Sequence, residues 1–314
     1  MTLQKLILQT IGLGLVVAFQ IGCASHLVSP TLIPPSDSSL PPTVTPSPSS
    51  TPTSWPPTPV LGLGSTWTSP KDGMSMVFVP AGDFEMGRDE GWLFQRPAHT
   101  VHLDSFWIDQ TDVTNAMYAL CVQAGECSPP SSASSSTRQS YYGNSEFDDF
   151  PAINVSWNDS KDYCLWVGRR QPTEAEWEKA ARGTDGRMYP WGNFPWANDL
   201  PNDVAIDDLM NFADHAGDTT NVGHYPKGAS PYGVLDMAGN VWQWVSDWYS
   251  KDYYHASPSS NPMGPDSGEG RVLRGGSWRY DAFFMEFMGA STNRAPAPPD
   301  TSLNIVGFRC ARSP

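Results

Sequence analysis

The feature that most restricts how this chain can fold is a tract from Ser29 to about Pro59 built almost entirely of proline, serine and threonine. Proline fixes φ and removes an amide donor, and the tract holds too few apolar side chains to offset the entropy of ordering it. It reads as an extended stalk. It divides the 314-residue chain into a short leader and one C-terminal region large enough for a domain with a real core. The expected boundaries are a signal peptide over 1–22, a disordered linker over 23–66 and a domain over 67–314. Hydrophobic residues make up 39% of the chain, low for a sequence folded from end to end, as a long unfolded tract requires. The 13 tryptophans then belong mainly to the folded part, which must bury heavy rings.

The leader has the pattern of an export signal. Lys5 supplies a positive start, Leu6 to Ile21 is largely apolar, and small residues surround Cys23 in the order Ile21-Gly22-Cys23-Ala24. This predicts export and lipidation at Cys23, which would leave a lipoprotein on the extracytoplasmic side of the cell membrane. Ordinary signal cleavage and a retained N-terminal anchor are the alternatives. No later segment is long and apolar enough to span a membrane. Outside the cytoplasm Cys121, Cys127, Cys164 and Cys310 can form two disulfides, but their connectivity does not follow from the count.

The formal charge of −14 excludes a nucleic-acid partner, because an acidic surface repels phosphate backbones. It is compatible with bound cations. Order is expected to begin near Met74, with SMVFVPAGDFEMG read as a hairpin and HTVHLDSFWID as a second strand region that turns Val101, Leu103 and Phe106 inward. Three helices follow. Thr114 caps the first and Gly125 ends it, Ser156 with Asp159 caps the second, and Thr173 with Glu176 makes a capping box on the third. Glu174 and Glu178 beside it are read as acidic residues suited to a helix N-terminus. Beyond Gly183 the predicted structure is loop and short strand. No HExxH run, GxSxG elbow or phosphate-cradling glycine loop occurs, so a metallohydrolase, a serine hydrolase and a nucleotide enzyme are disfavoured.

Five strings occur in a distinctive order: PAINVSWNDSKDYCLWVGRRQPTEAEWEKAARG, YPWGN, YGVLDMAGNVWQWVSDW, RVLRGGSW and VGFRCAR. Together they resemble the formylglycine-generating enzyme (sulfatase-modifying factor) family over about residues 72 to 312. The resemblance implies an irregular, loop-rich α/β (α+β) fold related to the C-type lectin fold and steadied by calcium. It implies a core disulfide Cys164–Cys310, which leaves Cys121 and Cys127 to pair with each other. One implied calcium site uses the side chains of Asp236 and Gln243 with the carbonyls of Gly239 and Val241. At position 243 glutamate is usual, and glutamine removes a charge. The other uses Asn211, the Phe212 carbonyl, Asp214 and the Ala216 carbonyl, with Asp218 a substitute for Asp214.

Active members of the family hold copper(I) between two cysteines after the GGS motif. Here the matching positions are Tyr280 and Met285, and no cysteine lies between Cys164 and Cys310. Copper(I) needs soft thiolates, so copper is not expected. Ser277, Trp242 and Arg279 match pocket-lining positions, so a cleft can persist without the chemistry. The leading expectation is a tethered, non-catalytic module for an unidentified protein or glycan ligand. The alternative is a family oxidoreductase, either a formylglycine-generating oxidase or a non-haem-metal oxygenase, with an atypical site. Whether the chain is an enzyme stays open at this level.

Overall fold

A computed structural model describes residues 61–193, 204–213, 215–279 and 289–314. The leader, Cys23, the proline-rich tract, Asp214, Tyr280 and Met285 lie outside these residues. The fold is mixed α/β and rich in loops, as the sequence implies. Strands β1 (Thr66–Thr68), β2 (Ser75–Val79), β5 (Phe106–Asp109) and β10 (Ala311–Arg312) form one antiparallel sheet in the order β1-β2-β5-β10. Strands β3 (Gly82–Met86) and β4 (His99–Leu103) form a two-stranded ribbon. A third sheet runs β8-β7-β6-β9, from β6 (Trp242–Trp248), β7 (Arg271–Arg274), β8 (Arg294–Ala297) and β9 (Val306–Phe308), with β6 and β9 parallel.

The expected hairpin over 75–86 is corrected. β2 pairs with β1 and β5, whereas β3 pairs with β4. The reason is burial: β2 is buried at four consecutive positions, so it needs partners along both edges, whereas β3 alternates as a half-exposed ribbon does. The connecting Pro80–Gly82 step is held by Lys179, whose buried Nζ donates to the Pro80 and Gly82 carbonyls at 2.9 and 2.8 Å.

Helices α1 (Asn115–Gln123), α2 (Trp157–Trp166) and α3 (Glu174–Arg182) start where the caps predict. Thr114 accepts from the Met117 amide, and the Ser156/Asp159 and Thr173/Glu176 boxes are both closed. Among the described residues no α-helix follows Arg182, and none is long and apolar enough to cross a membrane. One core lies between α1, α2 and the β6–β9 sheet, where Tyr163 meets Tyr118 and Phe308 at ring separations of 5.7 and 5.4 Å. It contains the Cys164–Cys310 disulfide, which closes a separation of 146 residues, while Cys121–Cys127 closes one of 6. Both pairings match the expectation. A second core packs α3 and Met237 against β2, β3, β4 and β5.

Candidate functional site

The site implied by the GGS motif sits on the loop between β7 and β8. Arg274 and Arg294 face each other at the end of that hairpin, so the chain from 275 to 293 leaves and returns at one place. Both guanidinium groups are buried, which demands compensating charge. α3 supplies it. Glu174 takes Arg294 bidentately at 2.7 and 2.7 Å, and Glu178 accepts from Arg274 at 2.6 Å and from Arg182 at 3.1 Å. Glu174 and Glu178 are therefore buried anchors of the loop base, not simply acidic residues at a helix start. Asp247 on β6 accepts from the Glu174 amide at 2.8 Å, and burial beside Glu174 pushes its carboxyl up to about 7.

Arg274 also orders the returning strand, donating to the carbonyls of Ser291, Thr292 and Asn293 at 2.7, 3.2 and 2.8 Å. On the outgoing side Gly275 and Gly276 adopt φ of 93° and 76°. A side chain at Gly275 would stand 3.3 Å from the Trp177 ring, so the turn needs glycine for space as well as conformation. Beyond this turn the hydroxyls of Ser277, Ser291 and Thr292 and the indole N–H of Trp278 are buried with no hydrogen-bond partner among the described residues. Four such groups at the base of one loop are unusual, since buried polar atoms are nearly always paired. The sequence reading named only Ser277 of these. The signal for the rest is polar residues, ASTNR, returning into a strand whose partner RVLR carries a buried arginine.

The other two expected pocket residues differ. Arg279 is exposed, with its guanidinium 6.0 Å from the Trp278 ring. Trp242 is 3% exposed and packs into the first core. Tyr280 and Met285 lie outside the described residues.

The two expected calcium loops lie side by side beneath this turn. The Gly239 amide donates to the Gly275 carbonyl and the Trp278 amide to the Asn240 carbonyl, both at 2.9 Å. A Cβ at Gly239 would come within 2.3 Å of the Asn211 carbonyl oxygen, which is how closely the loops approach. In the 211–218 loop, Asn211 donates through Nδ2 to the Asp218 carbonyl and to Asn240 Oδ1 at 2.9 and 3.3 Å. This turns its Oδ1 away, buried and without a partner among the described residues, as a cation ligand would be. The Phe212 carbonyl accepts only the His215 amide among the described contacts, and Ala216 is exposed.

Asp218, the expected substitute ligand, is held by protein partners. Its Oδ2 accepts from Ser135 Oγ, Thr137 N and Thr137 Oγ1 at 2.5, 2.8 and 2.9 Å, Oδ1 accepts the Thr219 amide at 2.8 Å, and Arg138 stands 3.4 Å away. These bonds hold its carboxyl below the usual range in spite of burial. In the 236–243 loop, Asp236 Oδ2 accepts the Gly223 amide at 2.7 Å, and burial raises its carboxyl. Gln243 Oε1 already accepts two N–H groups, from Trp177 and from Arg309, each at 2.7 Å. Among the described residues no three His, Cys, Asp or Glu side chains converge on one point.

Residues 65–314 match the model of the sulfatase-modifying factor enzyme 1-like domain. Over 293 residues the chain is 34% identical to the formylglycine-generating enzyme of Streptomyces coelicolor, covering 77% of this chain and 90% of that protein. It is 38% identical over 174 residues to the inactive C-alpha-formylglycine-generating enzyme 2 of Mus musculus, which spans 52% of this chain and 50% of that one. The solved structure of PvdO from Pseudomonas aeruginosa is similar with a TM-score of 0.67 at 27% identity, over 81% of this chain and 99% of that one.

Proposed function

The chain belongs to the sulfatase-modifying factor enzyme 1-like family, and on that premise we propose that it is a non-catalytic, surface-tethered binding module built on the family domain. The observation that carries this reading is the fate of the cysteines. Of the five, Cys23 belongs to the leader and the other four are committed to two disulfides, so the domain keeps no thiol for a copper(I) pair. The residues present do not fit copper(I). The relative whose name includes "inactive" supports the reading without deciding it.

What the domain retains is a place to bind. The Ser277, Ser291 and Thr292 hydroxyls and the Trp278 N–H, unpaired among the described residues, offer donors at the base of the 275–293 loop, and a polar ligand would satisfy them. The ligand is an unidentified protein or glycan. Lipid on Cys23 and the proline-rich stalk would hold the domain off the membrane on its outer face. Fatty-acid labelling that is equal in wild type and Cys23→Ser would end the lipoprotein part of the proposal.

A second reading, an oxidase with an atypical site, is favoured by the 34% identity that extends over 90% of an enzyme of the family. One experiment separates the two. The full chain is offered a Cys-X-Pro-X-Arg peptide with copper and air, and cysteine-to-aldehyde conversion is read by mass spectrometry. The binding reading expects no conversion above a metal-free control. Conversion above that control establishes the oxidase instead.

A further inference from the structure

The partners of Gln243 carry a conclusion that the family resemblance does not. Its side chain lies on β6, fully buried, between α3, the 235–241 loop and Arg309. Two N–H donors, Trp177 Nε1 and Arg309 Nε, meet one end at 2.7 Å each, and the Asp236 carbonyl meets the other at 2.6 Å. Only one orientation of an amide suits this set: oxygen toward the two donors, nitrogen toward the carbonyl. Both lone pairs of Oε1 are then used. The atom facing the loop is an N–H donor, which repels a cation instead of coordinating it.

The loop already contains a positive charge. Arg309, fully buried, donates through Nη2 to the Leu235 carbonyl at 2.8 Å and to the Asp236 carbonyl at 3.4 Å, and stands 3.3 Å from Asp112 Oδ1. The Leu235 and Asp236 carbonyls at the start of the loop are thus held by a guanidinium and an amide. A carboxylate at position 243 would behave otherwise. One oxygen could keep Trp177 and Arg309, but the second would stand 2.6 Å from the Asp236 carbonyl oxygen, a repulsion that a cation between them relieves.

We propose that the Gln243 amide, not a divalent cation, closes the 236–243 loop. Gln243→Glu then creates a cation site there. The proposal is independent of whether the 275–293 loop binds a ligand.

The test is calcium stoichiometry, measured by native mass spectrometry and titration calorimetry on the full chain in detergent after chelator treatment. Gln243→Glu is expected to take up one equivalent more than wild type. The variant's thermal midpoint should fall below wild type in chelator and rise more than wild type's when calcium is added. Equal uptake by wild type and Gln243→Glu overturns the proposal.

Discussion

Arg294 shows what a single side chain contributes to this domain. Its guanidinium is bidentate on Glu174, lies 4.7 and 4.5 Å from the Tyr249 and Tyr254 ring centres, and is buried with its partner. Removing one member of such a pair leaves the other charge uncompensated, so Glu174→Gln should destabilise by about 3–5 kcal/mol, read by guanidinium chloride unfolding. Asp247 makes the same region sensitive to pH. Its native carboxyl titrates at about 7, above the ordinary 3.8, because of burial and the adjacent Glu174. Between those values the folded state binds more protons than the unfolded state, so this group lowers stability as pH rises from 4 to 7. Its slope is at most about 1.4 kcal/mol per pH unit. In Asp247→Asn that downward component should vanish, so its stability relative to wild type should improve between pH 5 and pH 8. A difference that stays flat with pH would show that Asp247 does not titrate there. None of this was legible in the sequence. The spacing of Glu174, Glu176 and Glu178 suits a helix N-terminus, and only Glu176 acts in the capping role read for it.

At the scale of elements, local signals were dependable. Thr114, Ser156 and Thr173 each cap the helix they precede, and Gly125, Gly168 and Gly183 follow the helix ends with φ of 77°, 75° and 72°. Thr173→Ala should cost about 1 kcal/mol by loss of its bond to the Glu176 amide, measured by chemical denaturation. The two disulfides should differ far more. In the chain-entropy account, the bridge spanning 146 residues contributes about 5 kcal/mol and the one spanning 6 about 2. Cys164→Ser with Cys310→Ser should therefore lower the unfolding midpoint well below that of Cys121→Ser with Cys127→Ser. Strand partners were less legible than strands. β2 and β3 were read as segments correctly, but which strand each meets depends on β5 and β4, and on Lys179 arriving from α3.

For the whole molecule, the charge of −14 sets a negative field that no described cluster of cations reverses. The full chain should give no retardation of duplex DNA at physiological salt in a gel-shift assay. The sequence by itself determined what depends on local order and composition: the three capped helices, the loop-rich second half, the family and the missing thiol pair. Those properties need no knowledge of distant neighbours. Tertiary structure alone decided which polar groups are satisfied. It placed Gln243 Oε1 against Trp177 and Arg309, filled Asp218 with donors from residues 135–138, and left Asn211 Oδ1 and the hydroxyls at the base of the 275–293 loop without partners among the described residues. Hydrogen-bond satisfaction is a property of positions brought together across 66 to 83 residues of chain, and a residue's type fixes its capacity to bond but not its partner.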